Sequence, residues 1–137
     1  MESSSSAITA DAAWRVLDES PFAAWWGLRV GALGNGVATV VLPSAPHLLR
    51  RGGVLQGASY SVVADVAMWL AIMTLNGPET PAVTAEMKTD FLRPTAADLV
   101  STATIVRPGR RLIFGTARTN DSAGRLVAYS TLTYAQP

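Results

Sequence analysis

The stretch GGVLQGASYSVVADVAMWLAIMTLN, residues 52–76, decides how this chain folds. Asp65 is the only formally charged residue in it, and its second half has no polar face. A helix with this pattern is buried all round rather than on one side. Gly77-Pro78 follows directly and ends it. The stretch therefore predicts a long core helix that carries one buried carboxylate.

A transmembrane span is the first alternative, because about 20 apolar residues can cross a bilayer. The polar segment Ser59-Tyr60-Ser61 interrupts the first turns of such a span. Asp65 would lie near the middle of the membrane, at a cost of about 2.5–3.5 kcal/mol. We therefore interpret the stretch as the core helix of a soluble domain and expect no membrane partner.

The start of the predicted helix is suited to binding a polar group. Gly52, Gly53 and Gly57 allow the backbone to approach a ligand closely. The N–H groups of a first helical turn are unpaired and lie at the positive end of the helix dipole. Such amides bind a phosphate or polarise a carbonyl as an oxyanion hole. A buried acid such as Asp65 is either satisfied by hydrogen bonds as a structural group or functional.

The spacing of Gly57 and Asp65 constrains how they could cooperate. They are eight residues apart, or about 12 Å along a helix. One carboxylate cannot act over that distance on a carbonyl held at the start of its own helix. If both groups serve one reaction, they come from two helices, most simply two copies related by a two-fold axis. A functional Asp65 therefore predicts a dimer with sites between its subunits.

Composition sets the broad class of the protein. We expect a single domain over residues 9–137 after a disordered tail over residues 1–8, since 137 residues suffice for one core. The chain is 49% hydrophobic and carries a net charge of +1, which predicts no general attraction to nucleic acid. It lacks cysteine, which excludes disulfides and thiolate sites and is compatible with the cytoplasm. The serine-rich N-terminus has none of the features of a secretory signal.

Outside the central stretch, local patterns predict two short helices and six strands. Alternation of apolar with polar residues indicates the strands, and capping residues and glycine turns mark where elements begin and end. In residues 83–91 the alternation is cleanest and predicts a half-buried strand, and the last four strands follow one another at meander spacing. We expect an α+β fold with one antiparallel sheet around one long helix. The predicted helices are 12–17 and 22–26, and the strands are 28–33, 37–42, 83–91, 99–107, 111–120 and 125–134.

Several kinds of chemistry are excluded by missing residues. His47 is the only histidine, and no Gly-x-Ser-x-Gly motif is present, so a serine hydrolase and a zinc site are disfavoured. No nucleotide-binding fingerprint occurs. Arg107, Arg110 and Arg111 flank a Pro-Gly turn, where they are either solvated charges or an anion site for a phosphorylated ligand.

Taken together, six segments resemble the hotdog-fold acyl-CoA thioesterases, most of all the phenylacetic-acid-degradation branch. Their order and spacing carry the resemblance, which covers roughly residues 22–135. The segments are GVLQGA (53–58), VADVA (63–67), VTAEM (83–87), DFLRP (90–94), RPGRR (107–111) and GRLVA (124–128).

The resemblance implies a helix wrapped by an antiparallel sheet, assembled into homodimers or homotetramers, with no metal or redox cofactor. Gly57 matches the glycine whose amide polarises the thioester carbonyl. Asp65 matches the acid that attacks this carbonyl or activates water. In the family these two groups come from different subunits. Arg107, Arg110 and Arg111 lie where members commonly hold the phosphates of CoA.

Three positions depart from the family pattern. Gln56 stands where members usually have a histidine, and an amide can orient a thioester but cannot titrate near neutral pH. Arg50 replaces an Asn or Gln. Trp69 replaces a small hydroxyl residue four positions after the acid, so it either crowds the water or shapes an acyl pocket.

The sequence therefore predicts a cytoplasmic acyl-CoA thioesterase in which Gln56 orients the substrate. We expect Tyr60, Met68 and Trp69 to border an apolar pocket for an aromatic or medium-chain acyl group. Two alternatives stay open. One is a hotdog protein that binds an acyl-thioester without hydrolysing it, and the other is a dehydratase, which His47 disfavours because it lies outside the helix.

Overall fold

The computed structural model describes residues 6–137. Within that range the chain forms three α-helices and six β-strands, joined between the second strand and the third helix by a 3-10 turn at Pro46–Leu48. The predicted elements are confirmed, with ends that differ by one or two residues. The elements are α1 (Ala10–Asp18), α2 (Pro21–Trp26), β1 (Arg29–Gly34), β2 (Val37–Leu42), α3 (Ala58–Asn76), β3 (Val83–Phe91), β4 (Leu99–Pro108), β5 (Leu112–Asp121) and β6 (Leu126–Ala135).

The long helix α3 is the centre of the core. Most of its side chains are buried, among them Val63, Leu70 and Ile72. Gly77 ends it with a φ of 87°, and the Gly77 N–H donates to the carbonyl of Met73. By length and composition α3 could cross a membrane. Its burial against the sheet confirms the prediction of a core helix instead.

One antiparallel sheet of six strands wraps around α3, in the order β1-β2-β4-β5-β6-β3. This confirms the α+β hotdog architecture. The meander is limited to β4, β5 and β6. Strand β3 does not pair with β4, because β2 occupies that side of β4, and it lies beside β6 at the opposite edge.

Strand β3 is more exposed than its alternating pattern predicts. Val83 and Phe91 are both 57% exposed. The prediction of a half-buried strand is wrong for the single chain, because β3 is an edge strand and β6 is its one neighbour among the described strands. The exposed edge of a sheet presents backbone N–H and C=O groups that can pair with a strand of another chain.

The ordered domain begins before residue 9. Residues 1–5 of the predicted tail lie outside the described residues. Ile8 is buried, and the Ala7 N–H donates to the carbonyl of Thr74 at 2.7 Å. Residues 6–8 therefore pack on the end of α3, because an apolar side chain and a backbone hydrogen bond both hold them there.

Candidate active site

Asp65 lies in the wall of a cavity of about 470 Å³ between α3, α2 and the start of β3. The lining is largely apolar. Trp69 lies one helical turn after Asp65 on the same face, as predicted. The side chains that surround Asp65 in this cavity are Phe22, Val62, Val66, Trp69, Thr80, Pro81, Ala82, Val83, Thr84 and Tyr134.

Asp65 is half-buried, so the prediction of a buried carboxylate is wrong. The cavity opens one side of the helix to solvent at this point. Two hydroxyl groups hold one of its oxygens: Thr84 Oγ1 and Tyr134 Oη each donate to Asp65 Oδ1 at 2.8 Å. Tyr134 Oη also lies 3.0 Å from the backbone carbonyl of Asp65. Among the described residues no side chain or amide donates to Oδ2.

Thr84 and Tyr134 were not predicted as site residues, and for Thr84 a β-bulge explains the omission. The pairing of β3 with β6 shifts by one residue between Thr84 and Glu86. Simple alternation places Thr84 on the face opposite Met87. The extra residue, Ala85, changes the phase, so Thr84 pairs with Tyr134 on the face that packs on α3. No signal in the sequence marks this bulge.

Burial is the main cause that raises the pKa of the Tyr134 phenol far above its usual value, and the negative charge of Asp65 raises it further. Tyr134 is only 3% exposed. It therefore keeps its proton across the working pH range. A neutral hydroxyl beside a carboxylate can donate without neutralising the charge.

The start of α3 presents one backbone N–H without a partner among the described residues. The Ala58 N–H donates to Gln56 Oε1 at 2.8 Å, and the Ser59 and Tyr60 N–H groups donate to the carbonyls of Gln56 and Gly57. The Gly57 N–H is the one left over. Because an N–H only donates, the atom that accepts from Ala58 must be the amide oxygen of Gln56. Its NH₂ group is then free to donate.

Gly57 adjoins a second cavity, of about 290 Å³. Tyr60 is buried in its wall, and its hydroxyl donates to the carbonyl of Arg93 at 2.8 Å. Burial raises the pKa of Tyr60. Arg50 lines this cavity as well, as does Arg93, which sequence reasoning did not select. Neither arginine forms an ion pair with any residue that the structure describes.

Gly53 needs glycine for its backbone conformation, whereas Gly57 does not. Gly53 has a φ of 79° and lies in a tight turn, where its N–H donates to the carbonyl of Arg50. Gly57 has a φ of −57°, which any residue adopts. A Cβ on Gly57 would lie 3.6 Å from the ring of Phe91. The structure therefore places Gly53 near the cavity as a turn residue, whereas Gly57 presents its amide there.

The prediction that Met68 borders the acyl pocket is wrong. Met68 is fully buried on the side of α3 that faces the sheet. Its sulfur fills the space beside Gly115, where an added Cβ would lie 2.5 Å from it. Met68 is only three residues after Asp65, but its side chain packs into the space beside Gly115 in the sheet and so does not reach the cavity. Met68 is thus a core residue, while Tyr60 and Trp69 line two different cavities.

The arginine turn lies far from Gly57 within one chain. Arg110 lines a small cavity beside Leu75 and Asn76, at the C-terminal end of α3. Gly57 is at the other end of this 19-residue helix, about 28 Å away. Arg107 and Arg111 are exposed near the same turn. None of the three forms an ion pair within residues 6–137.

Strand β3 runs from the Asp65 cavity to the Gly57 cavity. Thr84, near its start, contacts Asp65, and Phe91, at its end, packs edge-on against Tyr60 with ring centroids 5.6 Å apart. The two cavities share no lining residue. On a single chain the candidate acid and the candidate oxyanion amide are therefore separate, as their spacing in the helix predicts.

His47 lies outside both cavities. Its Nε2 atom is 2.9 Å from the carbonyl of Trp25, and its ring packs edge-on against the indole of the same residue. No cluster of three potential ligands among His, Cys, Asp and Glu that could hold a metal occurs in the described part of the chain.

Residues 52–128 match the sequence profile of the thioesterase superfamily. The chain belongs to this superfamily. A protein of Saccharolobus solfataricus named "Putative esterase" is 31% identical over 102 residues, which cover 74% of this chain and 72% of the relative. The profile covers α3 and strands β3, β4 and β5 in full, together with the first residues of β6.

Solved structures of similar sequence share the fold of this chain. A conserved protein of Pseudomonas aeruginosa is 35% identical, with a TM-score of 0.82 over 86% of this chain and 94% of its own. A mutant of the phenylacetic acid degradation protein PaaI from Thermus thermophilus is 30% identical, with a TM-score of 0.77 over 86% of this chain and 100% of its own. The branch that the sequence motifs resemble is thus the one found among its structural neighbours.

Proposed function

We propose that this protein is an acyl-CoA thioesterase that hydrolyses an acyl- or aryl-CoA thioester to the free acid and CoA. One observation carries the proposal. A helix-start amide without a partner at Gly57 and a carboxylate with one free oxygen at Asp65 occur, among the described residues, in a chain of the thioesterase superfamily. These are the two groups that such a hydrolysis needs.

The reaction follows from the two groups. The Gly57 N–H donates to the thioester carbonyl oxygen and stabilises the negative charge that forms there. Asp65 accepts a proton from water as the water oxygen attacks the carbonyl carbon. The C–S bond then breaks, and the proton passes to the departing CoA sulfur. Gln56 holds its amide oxygen on Ala58, so its NH₂ group is available to orient the substrate.

The proposed site lies between two subunits. Strand β3 is an exposed edge that carries Thr84 near one end and Phe91 at the other. If two copies pair antiparallel about Met87, position 84 of one strand lies opposite position 90 of the other. The Asp65 cavity of one subunit then adjoins the Gly57 cavity of its partner. A homodimer is the smallest assembly with complete sites, and a homotetramer contains two such pairs.

The acyl group is proposed to occupy the cavity beside Asp65. Its volume of about 470 Å³ and its lining by Phe22, Val62 and Trp69 suit an aromatic or medium-chain acyl group. Arg107, Arg110 and Arg111 are proposed for the phosphates of CoA, and Arg50 and Arg93 flank the Gly57 cavity. We propose no cofactor apart from the CoA of the substrate, and a cytoplasmic location where CoA thioesters are made.

The first experiment measures CoA release from phenylacetyl-CoA, benzoyl-CoA and hexanoyl-CoA by the wild-type protein. It includes the pair Gly57→Pro and Gly57→Ala. A φ of −57° accepts proline, which deletes the N–H, whereas alanine keeps it. Removal of an oxyanion donor lowers kcat by about 10²–10³, so Gly57→Pro is expected to lose this factor while Gly57→Ala stays active.

A second experiment tests whether the site is shared between subunits. Asp65→Asn and Gly57→Pro are each expected to be nearly inactive alone. After the two variants are unfolded and refolded together, half of the dimers are mixed and each mixed dimer has one intact site. About a quarter of wild-type activity should then return, as two-fold symmetry requires. If mixed dimers recover no activity, Gly57 and Asp65 act within the same subunit, and the shared site is contradicted.

The non-hydrolytic alternative rests on Gln56, Arg50 and Trp69, which depart from the family pattern. It predicts saturable binding of phenylacetyl-CoA without release of CoA. That result, in a folded wild-type protein, would overturn the thioesterase proposal. A product assay with enoyl- and hydroxyacyl-CoA identifies a dehydratase if neither hydrolysis nor simple binding accounts for the protein.

A further inference from the structure

Both hydroxyl groups that reach the Asp65 carboxylate bind the same oxygen. Thr84 Oγ1 and Tyr134 Oη donate to Oδ1, each at 2.8 Å, and the described residues offer no donor to Oδ2. A carboxylate that accepts two hydrogen bonds at one oxygen has a fixed orientation, and the second oxygen keeps its lone pairs.

We propose that Tyr134 and Thr84 are positioning residues that hold Oδ1 of Asp65 and thereby make Oδ2 the oxygen that reacts. The inference rests on the proposed thioesterase function and goes further, because it divides the carboxylate into a held atom and a reactive atom. Oδ2 accepts the proton from water, and that proton leaves on the CoA thiol. Oδ1 keeps its two hydrogen bonds throughout.

Three features support a positioning role for Tyr134. Its hydroxyl contacts the carboxylate and also lies 3.0 Å from the backbone carbonyl of the same residue, so it fixes side chain and helix together. Its ring is buried, which leaves the hydroxyl little freedom to find another partner. It remains protonated, because burial raises its pKa.

Thr84 is held in place by the sheet. The bulge at Ala85 sets it opposite Tyr134 in the ladder, so the two hydroxyls reach Asp65 from neighbouring strands. Thr84 is itself exposed and donates from the edge strand. The pair of hydroxyls, Thr84 and Tyr134, forms a clamp that joins the acid on α3 to β3, the strand on which the proposed subunit contact depends.

The test compares Tyr134→Phe with Tyr129→Phe, using phenylacetyl-CoA or whichever CoA thioester of the panel wild type hydrolyses fastest. Tyr129 lies on the same strand and faces the other side of the sheet, so it controls for a lost hydroxyl on β6. Loss of a hydrogen bond to a charged group is expected to lower kcat about 10- to 100-fold in Tyr134→Phe, with KM little changed. Tyr129→Phe should keep wild-type kcat.

Thr84 provides a second readout. Thr84→Val removes the hydroxyl at nearly constant shape and should lower kcat. Thr84→Ser keeps the hydroxyl and should have a kcat close to that of wild type. Because both donors hold one atom, the effect of the double variant Tyr134→Phe/Thr84→Val should differ from the product of the single effects. Circular dichroism and the melting temperature identify any variant that fails to fold.

The outcomes separate this inference from the function on which it rests. If Asp65→Asn abolishes turnover but folded Tyr134→Phe and Thr84→Val keep wild-type kcat, the thioesterase stands and the clamp is overturned. If Tyr134→Phe only lowers the melting temperature, Tyr134 is structural and the inference is also overturned. If wild type hydrolyses no CoA thioester of the panel, the proposed function and the inference both fail.

Discussion

Asp65 and Asp121 are two carboxylates held in opposite ways. Asp121 is 2% exposed and uses both oxygens: Oδ2 accepts from Nε and Nη2 of Arg125, and Oδ1 accepts from the N–H groups of Ala123 and Arg125. Asp65 is half-buried and uses one oxygen, which accepts from two neutral hydroxyls. No cation pairs with Asp65 in the described chain.

The comparison shows how a fold separates a structural acid from a reactive one. The hydrogen bonds from Arg125 hold the pKa of Asp121 below its usual range. The charged Asp121 thereby stabilises the turn between β5 and β6. A carboxylate that acts on a substrate must keep an acceptor free and face a cavity. Asp65 meets both conditions and Asp121 meets neither.

The largest expected effect is the loss of activity in Asp65→Asn. A general base contributes about 10²–10⁴-fold, so kcat should fall by that factor. The asparagine still offers a carbonyl oxygen to Thr84 and Tyr134, so the melting temperature should change little. The measurement is CoA release together with thermal unfolding. Full activity in this variant would mean that Asp65 is not the base.

The reciprocal variant is Asp121→Asn. It removes the negative charge that pairs with Arg125 and replaces one accepting oxygen with an NH₂ group, so the melting temperature should fall clearly. The turnover per folded molecule should remain at the wild-type value. Activity loss at low temperature, where the variant is folded, would show that the two acids do not divide their roles as the structure indicates.

Acid pH tests the contribution of Asp121 to the free energy of unfolding. The pKa of Asp121 is lowered in the folded protein, so its contribution to stability is complete above the ordinary Asp pKa of about 4. As the pH falls below that value, the unfolded state takes up the proton first and the contribution is lost. Urea unfolding of wild type should weaken more steeply below about pH 4 than unfolding of Asp121→Asn. Equal slopes would contradict this role.

Alkaline pH gives the smallest expected effect and tests the partner of Asp65. The pKa of Tyr134 is raised in the folded protein, so its contribution to stability is complete below the ordinary Tyr pKa of about 10. This contribution is lost as the pH rises further, because the unfolded chain ionises first. Tyr134→Phe should unfold with a flatter dependence on pH between about 9 and 11. Tyr129→Phe is the control and should keep the wild-type slope.

Much of the fold could be predicted because it depends on local patterns. Continuous apolar character marks α3, and glycine and proline mark its end and the turns between strands. The regular rise of a helix is also enough to separate Gly57 from Asp65. The order of the strands could not be predicted in the same way, since β3 pairs with β6 through contacts between distant parts of the chain.

The sequence by itself determined the core helix, the candidate amide at Gly57 and the candidate acid at Asp65, because these follow from residue type and spacing within one helix. Only the tertiary structure decided what surrounds the acid. The bulge at Ala85 brings Thr84 and Tyr134 together, and the space beside Gly115 takes up Met68 away from the cavity. Such contacts depend on register and packing between strands, which a single local pattern does not contain.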